Sequence, residues 1–242
     1  MLYADRVVLV TGARRGIGRM LSRHFLAHGA KVIGFSRHAG PDGGEDGEPG
    51  PGESTLMAVD VSDPTSVAQA FERIRGQFGR VDIVINNAAV LTSQYAMIMP
   101  AGAARSMLDT NVLGTFLVTR EAAKLMRKQK WGRVINISSM AVSLEPMGDS
   151  VYAASKAAVA TFANVMAKEF AAFNVTCNTL GITAIATDML AQLPADKVNA
   201  VVAGLTLPRY AQPDDIFNVV DFFASERSSY ITAQTVYLGG VH

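Results

Sequence analysis

The chain has 242 residues, a formal net charge of +1 and a single cysteine, Cys177. The length suffices for one α/β domain with a large core, and the balanced charge lacks the basic excess that nucleic-acid binders usually carry. One cysteine excludes an internal disulfide, no apolar run approaches the roughly 20 residues that cross a bilayer, and the N-terminus has no secretory signal pattern, so we expect a cytoplasmic protein without a membrane role.

Short β-branched runs alternate with longer helical stretches along the chain. The predicted strands are residues 7–10, 31–36, 55–59, 81–86, 133–138, 175–180 and 235–238. The predicted helices are residues 17–28, 64–78, 102–127, 151–173 and 213–225. This alternation predicts α/β architecture: a doubly wound parallel sheet of the Rossmann type, with seven strands and helices on both faces, in a single domain over residues 1–242.

Residues 39–55 depart from this pattern, because Gly, Pro and acidic residues dominate and no basic residue occurs. Such a segment cannot bury much apolar surface. We therefore expect a flexible loop inside the domain, between the second and third strands.

A glycine-rich loop joins the first strand to the first helix. Glycines allow a tight turn and close approach of the backbone to a pyrophosphate, and the helix N-terminus offers N–H groups and a positive dipole end. The alternative is an ordinary structural turn, but the position between strand and helix favours dinucleotide binding. The residues expected to bind are Gly12, Arg14, Arg15, Gly16, Ile17 and Gly18.

The end of the second strand indicates which dinucleotide binds. An acidic residue there would hold the ribose hydroxyl of NAD, but the chain has Ser36 and Arg37, with Arg15 in the glycine loop. Guanidinium groups bind phosphate in a bidentate manner, so we expect NADP(H), unless these arginines are only solvated surface charges. After the third strand, Asp60 and Val61 are expected beside the adenine, although Asp60 could instead cap the next helix.

Tyr152 and Lys156 lie four residues apart at a predicted helix start, so they share one face. A neighbouring ammonium lowers the pKa of a phenol, which would fit Tyr152 for proton transfer to a carbonyl oxygen. Ser139 ends a predicted strand, where its hydroxyl could bond to the same oxygen. Asn111 lies in a predicted helix, and from sequence alone it is as readily an ordinary polar helix residue as a functional one.

Taken with the glycine loop and Asn86-Asn87-Ala88, these residues resemble, in order and spacing, the short-chain dehydrogenase/reductase family of the single-domain type. The resemblance covers residues 5–240, and the tail at residues 224–234 is similar to the 3-oxoacyl-[acyl-carrier-protein] reductase branch. It implies an NADP(H)-dependent oxidoreductase with Ser139, Tyr152 and Lys156 as catalytic residues. It also implies a homotetramer.

The resemblance implies roles for several further residues. A backbone distortion at Asn111 would place a water that links Lys156 to solvent. Asn87 and Ala88 would border the adenosine ribose, and Ile182 and Thr187 would contact the nicotinamide amide. The chain departs from the family at Ala89 and Leu180, where glycine and proline are usual, and both departures bear on how the cofactor is placed.

The substrate pocket is expected at residues 90–99, 140–149 and 183–207, which are rich in Met and Leu. The first two segments contain no Arg or Lys, so we expect an apolar ketone rather than a small organic acid. A β-ketoacyl thioester on acyl carrier protein or coenzyme A is the first candidate. Another apolar alcohol or ketone (polyketide, quinone or steroid-like) and a non-catalytic NADP-binding scaffold are the alternatives. The intact Ser139, Tyr152 and Lys156 argue against a scaffold.

Two surface features concern partners. Arg127, Lys128, Lys130 and Arg133 cluster after the Asn111 helix, where they either complement the helix dipole or dock an acidic acyl carrier protein. The helix at residues 151–173 is apolar on more than one face, which predicts either a second subunit or a cover formed by the chain's own lid.

No histidine spacing is typical of metal ligands, so no metal is expected, and His24 and His28 are expected to be exposed.

Overall fold

A computed structural model of the chain describes residues 2–38, 53–191 and 195–241. Its described residues form one parallel sheet of seven strands in the order β3-β2-β1-β4-β5-β6-β7. The strands are β1 (Val7–Thr11), β2 (Lys31–Ser36), β3 (Glu53–Ala58), β4 (Ile83–Asn86), β5 (Gly132–Ser139), β6 (Val175–Ile182) and β7 (Thr235–Tyr237). The order reverses between β1 and β4, as in a doubly wound sheet, and this confirms the predicted fold class.

The helices cover both faces of the sheet. They are α1 (Gly16–Ala27), α2 (Pro64–Gln77), α3 (Ala101–Leu108), α4 (Gly114–Gln129), α5 (Ala141–Leu144), α6 (Ser150–Phe170), α7 (Asp188–Ala191), α8 (Ala195–Ala203) and α9 (Pro213–Ala224). Apolar side chains of α1 and α9 pack on one face, and those of α2, α4 and α6 pack on the other. Cys177 is buried in the second of these cores.

The third strand begins earlier than predicted. Glu53 pairs with Lys31, and the register then continues without interruption to Ala58 beside Ser36. Residues 53–55 therefore belong to the sheet, and their assignment to the acidic loop was wrong. Neighbouring strand β2 supplies the pairing that composition alone does not reveal. The rest of that predicted loop, residues 39–52, lies outside the described residues.

The predicted helix at residues 102–127 is interrupted. A π-helical turn, Asp109–Leu113, separates α3 from α4 and contains the fully buried Asn111. Such turns widen the helix by one residue and frequently occur at functional sites.

Two basic residues are less exposed than their sequence context indicates. His24 was expected at the surface, but its ring stacks on Phe217 at 4.2 Å and its Nε2 lies 2.8 Å from a carboxylate oxygen of Asp221. These contacts join α1 to α9. Arg133 is fully buried, and its guanidinium lies 4.5 Å from the centre of the Trp131 ring.

No helix among the described residues is long and apolar enough to cross a bilayer. Within the same residues, no group of three or more His, Cys, Asp or Glu side chains could hold a metal ion.

Candidate active site

A cavity of about 710 Å³ lies at the carboxyl edge of the sheet. Its walls come from the glycine loop, from the ends of β2 to β6 and from the segment that carries α7 and α8. Ligands of doubly wound sheets bind at this edge, where the strand order reverses. With the exception of Asn111 and Gly18, which lie behind its wall, the site residues expected from the sequence line this cavity.

The glycine loop has the shape that a pyrophosphate needs. Gly12 has a φ of 67°, in the left-handed region. A Cβ on Gly18 would lie 2.2 Å from the carbonyl oxygen of Gly12, so only glycine allows this contact between loop and helix. The Asn87 side chain donates to the carbonyl oxygen of Thr11 at 2.9 Å, and the Thr11 hydroxyl accepts from the backbone N–H of Ala88 at 2.9 Å. These bonds hold the loop against the segment that follows β4.

The cavity is rich in guanidinium groups at the end beside β2. Arg14 and Arg15 in the glycine loop and Arg37 after β2 all line it, and Arg14 donates to the carbonyl oxygen of His38 at 3.4 Å. Sequence reasoning missed Arg19, which also lines this end. Its spacing gave a signal, because Arg19 lies one helical turn after Arg15.

The structure distinguishes between the two roles left open for Asp60, a position beside the adenine and a cap for the next helix. Asp63, rather than Asp60, caps helix α2, because its side chain accepts from the N–H groups of Thr65 and Ser66. Asp60 lines the cavity together with Val61, and its carboxylate accepts from the backbone N–H of Ser62 at 2.9 Å. The capping alternative for Asp60 was therefore wrong.

Tyr152 and Lys156 lie on the first turns of α6 and face the cavity. Both are buried, with 8% and 3% of their surfaces exposed. Lys156 donates to the carbonyl oxygen of Ile137 in β5 at 2.8 Å, and its Nζ lies 5.9 Å from the centre of the Tyr152 ring.

The electrostatics of this pair differ from the expectation. Burial raises the pKa of Tyr152 to about 12, while the Ser139 hydroxyl acts in the opposite direction and the Asp149 carboxylate adds to the rise. Burial alone lowers the pKa of Lys156 to about 8. The lowered phenol pKa expected from the Tyr-Lys spacing was wrong for the chain without its cofactor, because burial is the largest cause of the shift and raises the pKa. Tyr152 is thus a protonated phenol at neutral pH.

Asn111 holds three elements together from behind the cavity. Its side-chain oxygen accepts from the backbone N–H of Val90 at 2.8 Å, and its amide donates to the Val90 carbonyl and to the Ser155 hydroxyl, each at 3.0 Å. Ser155 precedes Lys156, so Asn111 links the loop after β4 to helix α6. An ordinary exposed helix residue would make none of these contacts.

The family departures leave the expected chain path in place. Ile182 ends β6 opposite Ser139, and its carbonyl oxygen accepts from the Met140 N–H at 2.8 Å. Thr187 lies beside the glycine loop, 3.6 Å from the position that a Cβ on Gly16 would occupy. Leu180 is fully buried in the sheet, and Ala89 lines the cavity.

The predicted pocket segments contribute unequally. Leu91, Leu144 and Met189 line the cavity, whereas Tyr95 and Met97 are exposed outside it. The third segment also contributes a cation that was not predicted, because the expectation of an apolar pocket rested on the composition of the first two segments. Lys197 of α8 lines the cavity, as does Asp149, and the two lie 3.9 Å apart. The pocket is therefore less apolar than predicted. Residues 192–194 lie outside the described part of the chain.

One residue of the predicted cationic cluster after α4, Arg133, is not at the surface. Arg133 is buried within the fold, so it cannot meet a partner, whereas Arg127, Lys128 and Lys130 are exposed. Arg127 lies over the Phe173 ring at 5.4 Å.

Comparison with known proteins agrees with this geometry. The family model described as short chain dehydrogenase matches residues 6–198. The chain belongs to the short-chain dehydrogenase family. It is 33% identical over 240 residues to a 3-oxoacyl-[acyl-carrier-protein] reductase of Escherichia coli, covering 99% of this chain and 98% of the relative. A reductase of the same name from Synechocystis is 34% identical over 239 residues, covering 97% and 96%.

Solved structures of the family superpose closely on the chain. An aldohexose dehydrogenase of Thermoplasma acidophilum has a TM-score of 0.87 at 26% identity, covering 98% of this chain and 94% of that one. A levodione reductase has a TM-score of 0.86 at 26% identity, covering 98% and 97%. The chain is thus an NAD(P)-dependent oxidoreductase, and the substrates in these names differ widely on one fold.

Proposed function

We propose that the protein is an NADPH-dependent reductase of a ketone carbonyl, with a β-ketoacyl thioester as substrate, the type that the names of its relatives describe. One observation carries the proposal: Tyr152, a protonated phenol, faces the cavity one helical turn from Lys156 and beside Ser139. A proton donor at the carboxyl edge of a dinucleotide-type sheet is what carbonyl reduction needs.

The residues present fit a nicotinamide dinucleotide. Gly12, Gly16 and Gly18 leave the cradle that a pyrophosphate requires, and Ile182 and Thr187 line the same cavity. Bound NADPH supplies the hydride that reduces the carbonyl carbon. Preference for NADPH over NADH rests on Arg15 and Arg37, with Arg14 adjacent, because guanidinium groups favour a phosphate over a hydroxyl.

The side chains of the chain itself manage the proton. Tyr152 donates its phenolic proton to the substrate oxygen, and the Ser139 hydroxyl donates a hydrogen bond to that oxygen as negative charge develops. Lys156 stabilises the phenolate that remains, since its ammonium is the nearest cation on the same helix face. Asn111 is a positioning residue, because it holds the backbone beside Lys156 through Ser155.

An acyl carrier protein is the proposed partner for a thioester substrate. Arg127, Lys128 and Lys130 offer an exposed basic surface to an acidic protein. They lie at the amino edge of the sheet, because α4 ends just before β5 begins, whereas the cavity is at the carboxyl edge. Antiparallel packing of α4 on a second copy would bring this surface to the partner's cavity edge.

We also propose a homotetramer. The outer side of α6 carries the exposed Ala154 and Val165, and Phe116 of α4 meets Phe162 of α6 at 6.1 Å on the same side. Arg120 lies over the Phe116 ring at 5.6 Å, and the side chains of Ala154 and Val165 remain exposed. A second copy would bury it, and a further contact beyond β7 would complete the tetramer.

Consumption of NADPH tests the proposed function. The acetoacetyl thioester of N-acetylcysteamine should be reduced with a far higher kcat/KM than a quinone or a steroid ketone, and NADPH should be used in preference to NADH. Faster reduction of the quinone or the steroid ketone would show that this compound, and not a β-ketoacyl thioester, represents the substrate class. Tight binding of NADPH without turnover of any carbonyl compound would support a non-catalytic scaffold instead.

A further inference from the structure

The Asp149 carboxylate is buried, and one of its oxygens accepts no hydrogen bond from the residues that the structure describes. It occupies the N-cap position of α6, yet its side chain caps no N–H group of the helix. Only 6% of the residue is exposed, and its Oδ1 has no hydrogen-bond partner among the described residues. An Asp at this position normally accepts from the first turn of its helix. Leaving a buried acceptor unsatisfied is costly, so such an atom calls for a functional explanation.

Asp149 belongs to the wall of the active-site cavity. Asp149 lines the cavity together with Tyr152, which lies three residues later on the same face of α6. Ser139 and Leu144 line the same region. A group bound beside the Tyr152 hydroxyl is therefore within reach of Asp149.

Lys197 compensates the charge of Asp149 without using its acceptor capacity. The ammonium is 3.9 Å from Oδ1, which is too far for a hydrogen bond. It donates instead to the carbonyl oxygen of Met147 at 2.9 Å and to the Ser93 hydroxyl at 3.2 Å. These contacts join α8 to the segments that carry Ser93 and Met147, and they leave Oδ1 of Asp149 without a hydrogen bond among the described residues.

We propose that Asp149 is a specificity residue that accepts a hydrogen bond from the substrate, so that the preferred substrate carries an O–H or N–H donor near the carbonyl reduced beside Tyr152. An ionised carboxylate only accepts hydrogen bonds, which excludes a second carboxylate or a bare alkyl chain as its partner. The inference deepens the proposed reductase function and rests on it. Two sources share this chemistry: a hydroxyl on the substrate's own carbon chain, and the amide N–H in the cysteamine arm of a thioester.

Two matched pairs of probes distinguish these sources. Acetoin and butanone differ only in a hydroxyl beside the ketone. The acetoacetyl thioesters of N-acetylcysteamine and of butanethiol differ in the amide. Each is reduced with NADPH by the wild type, Asp149→Leu and Asp149→Asn, and by Glu145→Gln as a control. Glu145 is an exposed carboxylate on the neighbouring segment and does not line this cavity.

In one pair, Asp149→Leu should lower the ratio of kcat/KM for the donor-bearing probe to that for its partner by about tenfold or more, mainly through KM. The pair that responds identifies the source of the donor. Asp149→Asn, which retains one acceptor oxygen, should keep part of the ratio, and Glu145→Gln should keep all of it. An unchanged ratio in both pairs would overturn the proposal, and would mean that Asp149 serves solvent or local structure.

Folding and turnover are monitored separately from specificity. The melting temperature and the NADPH affinity of each variant show whether it folds, and Asp149→Asn offers a variant of equal size if the leucine variant does not. If the wild type reduces none of the four probes, the proposed function fails. Calorimetric affinities of the same pairs for the NADP⁺-bound protein then decide the role of Asp149 alone, by the same ratio.

Discussion

Lys156 donates a hydrogen bond to the carbonyl oxygen of Ile137 across 2.8 Å, and this ties helix α6 to strand β5 at the point where Tyr152 faces the cavity. The bond holds the ammonium in a fully desolvated position, and burial lowers its pKa to about 8. The position of the lysine and its ease of deprotonation therefore have the same structural origin.

The first prediction concerns pH. Because the pKa of Lys156 is lowered to about 8, its ammonium is present below that pH and is lost above it. Tyr152, with a pKa of about 12, stays protonated throughout. The kcat/KM for reduction should be level near neutrality and fall above pH ~8. Initial rates over a pH series at constant ionic strength would check this, and a rate that rises through the same range would contradict it.

The second prediction concerns the cofactor. Arg37→Ala should weaken NADPH binding far more than NADH binding, and Arg15→Ala should act in the same sense. Charge-assisted hydrogen bonds are worth about 1.5–3 kcal/mol, so the preference should shift tenfold or more. Titrations that follow nucleotide fluorescence would measure both affinities. Arg75→Ala, on helix α2 away from the cavity, is the control. Equal losses for the two nucleotides would place Arg37 away from the ribose phosphate.

The third prediction concerns Asn111. Asn111→Ala removes three hydrogen bonds inside the fold and leaves the backbone groups of Val90 without their partner. We expect a loss of about 1–3 kcal/mol in the free energy of unfolding, together with lower kcat. Urea denaturation and steady-state rates would measure the two effects. A variant with wild-type stability and rate would show that the π-helical turn needs no side-chain support.

Sequence reasoning was most successful where periodicity and turn chemistry act locally. All seven strands and the five long helices were predicted, because β-branched runs and amphipathic stretches depend on neighbouring residues. The start of β3 at Glu53 was missed, since pairing with Lys31 rather than composition determines it. The short helices α5, α7 and α8 were also missed, because they lie in the predicted pocket segments at residues 140–149 and 183–207 and are too short to show a periodic pattern.

In the active site too, features that depend on local sequence were predicted, whereas those that depend on tertiary contacts were not. The glycine loop and the Tyr152-Lys156 spacing are local signals, and the structure brings them to one cavity. Lys197 lies 48 residues after Asp149 in the sequence, so their proximity depends on how the chain between them folds. The burial of Arg133 was equally invisible, because a basic run in sequence does not tell which member turns inward onto Trp131. The direction of the Tyr152 pKa shift also required knowledge of burial.

The fourth prediction concerns assembly. Ala154→Arg places a charge on the outer face of α6, and it should reduce a tetramer to smaller species, with activity falling in parallel. Ala68→Arg makes the same change at an exposed position on α2 and should leave the mass unchanged. Light scattering at micromolar concentration would measure both. If wild-type protein has the mass of one chain, the lid or solvent covers this face and the assembly proposal is wrong.

The central claim is that Tyr152 is the proton donor for carbonyl reduction, and Tyr152→Phe tests it most directly. This substitution removes only the hydroxyl and leaves the aromatic ring in place, so the affinity for NADPH should be nearly unchanged. The measurement is kcat for NADPH-dependent reduction of the acetoacetyl thioester of N-acetylcysteamine, with Tyr95→Phe, an exposed tyrosine outside the cavity, as the control. General acid catalysis contributes roughly 10²–10⁴-fold, so the variant should lose at least a hundredfold in kcat while the control loses nothing. A Tyr152→Phe variant that keeps more than about a tenth of wild-type kcat would contradict the account.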